Sequence, residues 1–342
     1  MSSRIKPIAL AIALITVGFV SPLLGQQKGQ FVPGQFGLNA GAIPEPGITY
    51  ANMALNYSAS QLNDSNGNRI LQNVTGTYSF WVDENIVYYV PNHKFLGGYF
   101  MPYIAVNVAN GSLVAELNGT NLGTSAGGSG LADTYVRPLN LGWHFKRADF
   151  NVGYGFTAPT GRYTAGASNN VGSGYWGNNI TSGTTFYVTK NKATSATLFT
   201  DWETHRQRKV ASIPVGQVSN VTPGQAFTME WGFGQVLPLK KDFSRLLQFG
   251  LVGYDQWQVS SNGGSNLVNG NPVPASLIPY YSVHGINFQS NFVLPAKDFV
   301  LFFKYYDEYS AKARPQGRTI VFGGSWTLKI PKAAPATPNP AG

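Results

Sequence analysis

From Gly47 to Ile330 the polarity of this chain repeatedly changes at every second residue, in runs of about ten. A period of two places successive side chains on opposite faces of a strand, whereas a helix needs a period of 3.6. In 149–158, DFNVGYGFTA, the residues Phe150, Val152, Tyr154 and Phe156 oppose Asn151, Gly153, Gly155 and Thr157. In 319–329, Ile320, Phe322, Trp326 and Leu328 oppose Thr319, Gly323, Ser325, Thr327 and Lys329. In 73–83, NVTGTYSFWVD, the same logic puts Val74, Tyr78, Phe80 and Val82 on an apolar outer face and Asn73, Thr75, Thr77, Ser79 and Asp83 on an inner one. Weaker versions occupy 99–109, 178–189, 194–205, 226–236, 286–294 and 298–308.

What these strands face follows from the rest of the sequence. Charged residues make up 11% of the chain, against roughly 25% in an ordinary soluble protein. A soluble sandwich would carry Lys, Glu and Arg on one face of each strand. Here one face is aromatic and the other is Asn, Thr, Ser and Gly. The absence of obvious repeats argues against a propeller. The start, MSSRIKPIALAIALITVGFVSPLLGQ, reads as a secretory signal: Arg4 and Lys6, an apolar stretch from Pro7 to Val20, then Ser21, Pro22 and Gly25 near the cut. Its apolar stretch is too short to span a bilayer, and no later one reaches 18 apolar residues. A membrane protein of this composition must cross as strands. It must also close, because lipid offers no partner to a free strand edge.

The expected fold is therefore all-β: a transmembrane, antiparallel, up-and-down β-barrel of about 12 strands, with both termini periplasmic. The strands are predicted at 47–58, 72–90, 95–110, 131–146, 149–162, 177–190, 193–206, 225–238, 245–259, 280–294, 298–311 and 317–330. Tight turns around Asn92, Arg147, Asn191, Lys240 and Ala296 alternate with long connections at 59–71, 111–130, 163–176, 207–224 and 260–279, as they must when one rim faces the periplasm and the other the exterior. Only 312–316 breaks the alternation. The organisation is then signal peptide (1–25), periplasmic leader or partial plug (26–46), barrel (47–330) and a disordered Pro- and Ala-rich tail (331–342). Aromatic girdles at the membrane surfaces are expected from Tyr57, Tyr88, Tyr89, Tyr99, Trp143, Tyr163, Trp176, Tyr187, Trp202, Trp257, Tyr280 and Tyr305.

Chemistry is sparsely signalled. Cysteine is absent, and the four histidines, His93, His144, His205 and His284, fall singly on separate strands, so no metal motif forms. The net charge of +9 comes from scattered single residues or pairs, without the block that would mark a nucleic-acid binder. GTSAGGSG (123–130) lacks the Lys-Ser/Thr ending of a phosphate loop and reads as a flexible exterior loop. Asp201, Glu203 and His205 share one face near the exterior end of the seventh strand, where carboxylates could orient a general base, but no nucleophile completes the set.

The stretch LADTYVRPLNLGWHFKRADFNVGYGFTAPTGRYTAGA (131–167) resembles a family named for the meta-pathway of phenol degradation. FGLNAGAIPEPGITYANMALNYSAS (36–60), KFLGGYFMPYIAVNV (94–108) and ETHRQRK (203–209) support the resemblance, which extends from about Gln35 to Ile330. It implies a barrel transporter in the outer membrane linked to aromatic compounds. One departure is the end of the barrel, Leu328-Lys329-Ile330, where such proteins commonly finish on an aromatic residue.

The expected function is passive diffusion of small solutes, aromatic or hydrophobic ones by the resemblance. The candidate lumen-lining residues are Asn73, Thr75, Thr77, Tyr103, Asp133, Arg137, Asp201, Glu203, Lys304 and Glu308. Asp133 and Arg137 share a face, and the alternation shifts phase around Pro138 as a bulge would make it. Phe31, Val32, Phe36 and Leu38 within 26–46 suggest a partial plug folded into the lumen or under the periplasmic mouth, the alternative being a disordered periplasmic leader. No cofactor is implied. The expected partners are outer-membrane lipids, the barrel assembly machinery and small-molecule solutes, with no nucleic acid. The alternatives are a hydrolase at the outer rim and a structural or adhesive barrel without transport.

Overall fold

In the computed structural model, the strand that opens the barrel also closes it: Ile48 pairs with Leu328 on one side and with Tyr89 on the other. The structure describes residues 29–69, 74–117, 120–121, 126–211 and 217–328. The signal at 1–25, the tail at 331–342 and Asn73 lie outside these residues, and the side chain of Thr75 is likewise outside the described set.

The wall consists of 12 strands: β1 (Gly47–Leu62), β2 (Val74–Val90), β3 (Tyr103–Leu117), β4 (Thr134–His144), β5 (Ala148–Ala158), β6 (Gly177–Tyr187), β7 (Thr194–His205), β8 (Ala226–Pro238), β9 (Leu246–Gln258), β10 (Ser282–Leu294), β11 (Phe299–Lys312) and β12 (Pro315–Leu328). Each pairs antiparallel with its sequence neighbour, and β12 returns to β1. The ladder thus closes on itself and leaves no open sheet edge to hydrocarbon.

Short and long connections alternate as predicted, with two refinements. The expected strand at 95–110 breaks at Pro102, which cannot donate to the ladder. The residues before it form a separate small hairpin, Lys94–Phe95 with Gly98–Phe100, turning through Leu96 and Gly97 at positive φ. The expected flexible loop at 123–130 is corrected in part: Ala126–Leu131 is a strand on β3, in register from Val108↔Leu131 to Leu113↔Ala126. The reason is that β3 runs past its predicted end at 110 and requires a partner there. The long connections after β7 and β9 also fold together, into a four-stranded sheet of Arg208–Ala211, Val218–Thr222, Gly263–Val268 and Asn271–Pro274. Val210, Val221 and Ala275 form its small core, with Ile278 against them.

The outer wall is apolar, with Ile104, Leu139, Ile180, Leu198, Phe233, Phe288 and Phe322 exposed around the circumference. The predicted faces of 149–158 and 319–329 match the burial: Asn151 and Thr157 are buried while Val152 and Tyr154 are exposed, and Thr319 is buried while Ile320, Phe322 and Trp326 are exposed.

The faces of β2 are the reverse of the expectation. Phe80 is buried with Met53, Leu55, Tyr57, Ala59 and Val321, and Tyr78 and Val82 pack on that cluster. Thr77 shares the outer face with Trp81 and is exposed. The outward polar groups of β1 and β2 satisfy one another, Asn52 Nδ2 donating to Asp83 Oδ1 at 2.6 Å and the Tyr50 hydroxyl to Asn85 Oδ1 at 2.6 Å. The cluster around Phe80 exists because the lumen is not an open water channel: Val32, from the chain ahead of β1, packs against it. Two of the expected girdle residues are inside for the same reason. Tyr57 is buried with its hydroxyl on Glu308 at 2.9 Å, and Tyr88 lines a lumen cavity. Tyr89, Trp176, Trp202 and Tyr280 are exposed.

Candidate functional site: an occupied lumen

Both Gly47 and Leu328 lie at the short-turn rim, as an even strand number requires. The chain ahead of β1 does not stay there. Residues 29–46 run through the barrel interior, anchored to one inward-facing side chain after another. At the long-loop end, the Tyr281 hydroxyl accepts the Gly29 amide at 2.7 Å. Glu203 on β7 accepts the amides of Gln30 at 2.5 Å and Phe31 at 3.3 Å. Further along, Gln289 accepts the amide of Leu38 at 2.9 Å, and Asn151 donates to the Ala40 carbonyl at 3.0 Å. Thr197 donates to the Gly37 carbonyl at 2.8 Å, and Thr185 accepts the amide of Gly41 at 3.1 Å.

The centre of this anchorage is Glu230 on β8. Its Oε1 accepts the amides of Gly34 and Gln35 at 2.8 and 3.1 Å, and its Oε2 those of Phe36 and Gly37 at 2.8 and 3.0 Å. Successive amides pointing at one anion form a concave nest, which requires backbone turns that only some residues tolerate. Gly34 and Gly37 supply them, at φ +98° and +50°. A side chain at Gly34 would also meet the ring of Tyr306 at 2.8 Å. Lys304 on β11 holds the same dipeptide from its other side, through the carbonyls of Gly34 and Gln35. A buried carboxylate is costly unless its lone pairs are filled, and here four amides fill them. Phe36 stacks on Phe199 of β7, ring centroids 3.9 Å apart, and Phe31 stacks on the same ring at 5.6 Å.

The predicted lumen residues divide accordingly. Tyr103, Asp133, Arg137, Asp201, Glu203, Lys304 and Glu308 are all buried inside the wall. Thr77 is not, as described above. Glu203 and Lys304 bind the inserted segment. Asp133 is spent on structure, accepting from the Ser173 amide and hydroxyl at 2.7 and 2.5 Å and from the Gly161 amide at 3.0 Å. Asp201 takes both its contacts from Asn179 Nδ2, at 3.0 and 2.9 Å. Glu308 accepts from Tyr57, from Tyr254 at 3.1 Å, from the Gly317 amide at 2.6 Å and from Arg314 at 3.4 Å. Arg137 donates from Nε to the Tyr135 hydroxyl at 3.1 Å, its one hydrogen bond among the described residues. The register shift between Val136 and Leu139 brackets Pro138.

His205 is enclosed: Nδ1 lies 2.8 Å from the Gly224 carbonyl oxygen, Nε2 lies 2.9 Å from Glu203 Oε1, and the side chain is inaccessible.

Sequence reasoning missed Glu230, Gln289, Thr197, Asn151 and Glu84. A signal existed for Glu230, the single acid on a face otherwise made of Ala226, Thr228, Gly232 and Gly234.

Cavities flank the inserted segment, and two of them share lining residues. The one toward the short-turn rim has a volume of about 590 Å³ and extends to Pro44, Pro295 and Thr327. The one toward the long loops, bounded by Asp133, Thr157 and Ser173, has about 90 Å³, room for a few waters. Both are lined by Gln35, Met53, Glu84, Tyr103 and Arg137, which therefore form the constriction between them.

A family profile described as "Putative MetA-pathway of phenol degradation" matches residues 59–322. The chain belongs to this family. Among solved structures, the COG4313 outer membrane channel from Pseudomonas putida F1 is similar, with a TM-score of 0.64 at 14% identity, covering 87% of this chain and 100% of that one. The β domain of the Bordetella autotransporter Brka gives a TM-score of 0.49 at 11% identity, over 83% of this chain and 100% of that one. The Pseudomonas putida toluene transporter TodX gives 0.42 at 8% identity, over 90% and 96%. No curated protein matches. At such identities the likeness is one of fold, and for this family member the fold is that of an outer-membrane β-barrel.

Proposed function

We propose that this member of the phenol-degradation family is a channel for passive diffusion of small aromatic or hydrophobic solutes across the outer membrane, with residues 29–46 acting as a partial plug. The observation that carries this reading is the pair of cavities inside a closed barrel, meeting at a constriction whose floor includes Gln35 of the inserted segment. A solute entering from the long-loop side meets little free volume and must displace part of that segment to reach the larger cavity. The aromatic class comes from the family description and from the rings of Tyr103 at the constriction and Phe36 beside it, both facing Arg137. The similarity to a solved outer membrane channel supports conduction over adhesion. The short-turn rim faces the periplasm in this reading, in keeping with delivery from that side.

A rim hydrolase is less well supported. Its candidate base, His205, has Nδ1 against the Gly224 carbonyl and Nε2 2.9 Å from Glu203 Oε1, and its side chain is inaccessible to a substrate.

The test is single-channel conductance of the refolded chain in planar bilayers, with and without deletion of 27–44. The deletion should raise conductance at least several-fold. Equal conductance would remove the plug, and no conductance from either protein, together with no swelling of liposomes in small aromatics, would remove the channel.

A further inference from the structure

Arg137 is a buried cation that makes no salt bridge within 4 Å to any described carboxylate, with Glu84 and Asp201 acting on it only from longer range. Its side chain is 2% exposed, Nε bonds only the neutral Tyr135 hydroxyl, and the two terminal nitrogens make no hydrogen bond to any described residue. The carboxylates nearest in the barrel are committed or offset: Asp133 is held by Ser173 and Gly161, Asp201 by Asn179, and Glu84 shares the cavity lining without a hydrogen bond to the guanidinium. Burying a charge in this state is unfavourable, and a guanidinium cannot escape the cost by losing its proton. The barrel nevertheless makes room for it. Gly153 on β5 lies under its stem, where a Cβ would stand 2.9 Å from Arg137 Cδ. Three rings surround the guanidinium, Tyr103 at 4.9 Å, Tyr135 at 5.6 Å and Phe36 at 5.8 Å from its central carbon. The residue lines both cavities, at the constriction between them.

We propose that Arg137 is the anion subsite of the channel, and that its ligand is the carboxylate of an aromatic monoacid. This inference rests on the channel reading above and names the substrate class. A planar carboxylate matches the guanidinium fork with two parallel hydrogen bonds. The aromatic ring of the ligand lies against Phe36 and Tyr103, both already arranged around the cation. Glu84 lines the same constriction and also makes no hydrogen bond to a described residue. It sets a limit on charge, because a second carboxylate on the ligand would meet it as a like charge.

The probes are benzoate, benzyl alcohol and phthalate, which share a ring and differ in charge. Equilibrium binding to the full chain in detergent is followed by intrinsic fluorescence, and passage by liposome swelling. The unaltered protein should bind benzoate at least tenfold more tightly than either benzyl alcohol or phthalate. Arg137→Gln should abolish the preference for benzoate over the alcohol, and Arg137→Lys, which keeps charge without the fork, should retain part of it. Heat-modifiable migration confirms that each variant has folded. Should Arg137→Gln not fold, the reversal potential of the unaltered channel in a sodium benzoate gradient serves instead: selectivity for benzoate is expected, and selectivity for sodium would overturn the proposal. It would equally be overturned by equal binding of benzoate and the alcohol, or by an Arg137→Gln protein with the wild-type ratio. Binding of benzoate without passage of any probe would sink the channel and leave the subsite, whereas equal passage of all three would do the opposite.

Discussion

Glu230 Oε2 accepts the Gly37 amide at 3.0 Å across 193 residues of chain. The contact joins the segment ahead of the barrel to the middle of the wall, and with its three companions it makes one carboxylate the common acceptor of four consecutive amides. Hydrogen bonds to a charged group contribute roughly 1.5–3 kcal/mol each. They cannot all be replaced by water in so enclosed a place. Glu230→Ala should therefore release the segment, with faster hydrogen exchange at residues 34–37 and a several-fold rise in single-channel conductance. Unchanged exchange at these amides would show that the ring stack and the other side chains hold the segment without the carboxylate.

Lys304 acts on the same dipeptide from the opposite side, so its effect should not be independent of Glu230. Removing either charge alone leaves the other buried with its partner displaced, which is costlier than removing both. Lys304→Met and Glu230→Gln should each lower the denaturation temperature, and the double variant should lose less than the sum of the two. Simple additivity, measured by heat-modifiable migration in detergent, would argue that the two residues do not share the segment.

The nest itself depends on Gly37. Its φ of +50° is a strained region for a side-chain-bearing residue, and a Cβ there would fall on the Gln289 amide oxygen that accepts the Leu38 amide. Gly37→Val should cost about 1–3 kcal/mol from backbone strain before the collision is counted. Because the loss falls on the segment and not on the strand ladders, protease sensitivity of 29–46 should increase while β-sheet circular dichroism stays constant.

The strands were largely legible because the wall obeys a single period, and because turn length alternates with rim. The sixth and twelfth strands, for example, fall where their patterns place them. The direction in which β2 faces was not legible from the pattern. Alternation defines two faces but not which one meets lipid, and the usual guide is that the inner face is polar. That guide fails where the lumen contains protein. Val32 of the inserted segment needs an apolar partner, so Tyr78, Phe80 and Val82 point inward and the wall around them has a core of its own. The site shows the same division. Charged residues such as Glu203, Lys304 and Arg137 were legible as lumen residues because a charge facing lipid is expensive. Their tasks were not, since Glu203 and Lys304 bind a segment whose path through the barrel no local pattern announces.

The orientation of β2 gives a direct test, since the chain contains no cysteine and single thiols can be introduced cleanly. Trp81 is 55% exposed on the outer wall, and Val82 next to it packs against the internal cluster. Neighbouring strand residues point to opposite faces, so a fluorophore carried at each position samples a different solvent. With the protein in bilayers of brominated lipid, a probe on Trp81→Cys should be strongly quenched by the acyl chains. A probe on Val82→Cys should be nearly insensitive to bromine. An inverted pattern would restore the polar inner face for β2 and separate Phe80 from Tyr57, taking with it the packing of Val32 inside the barrel.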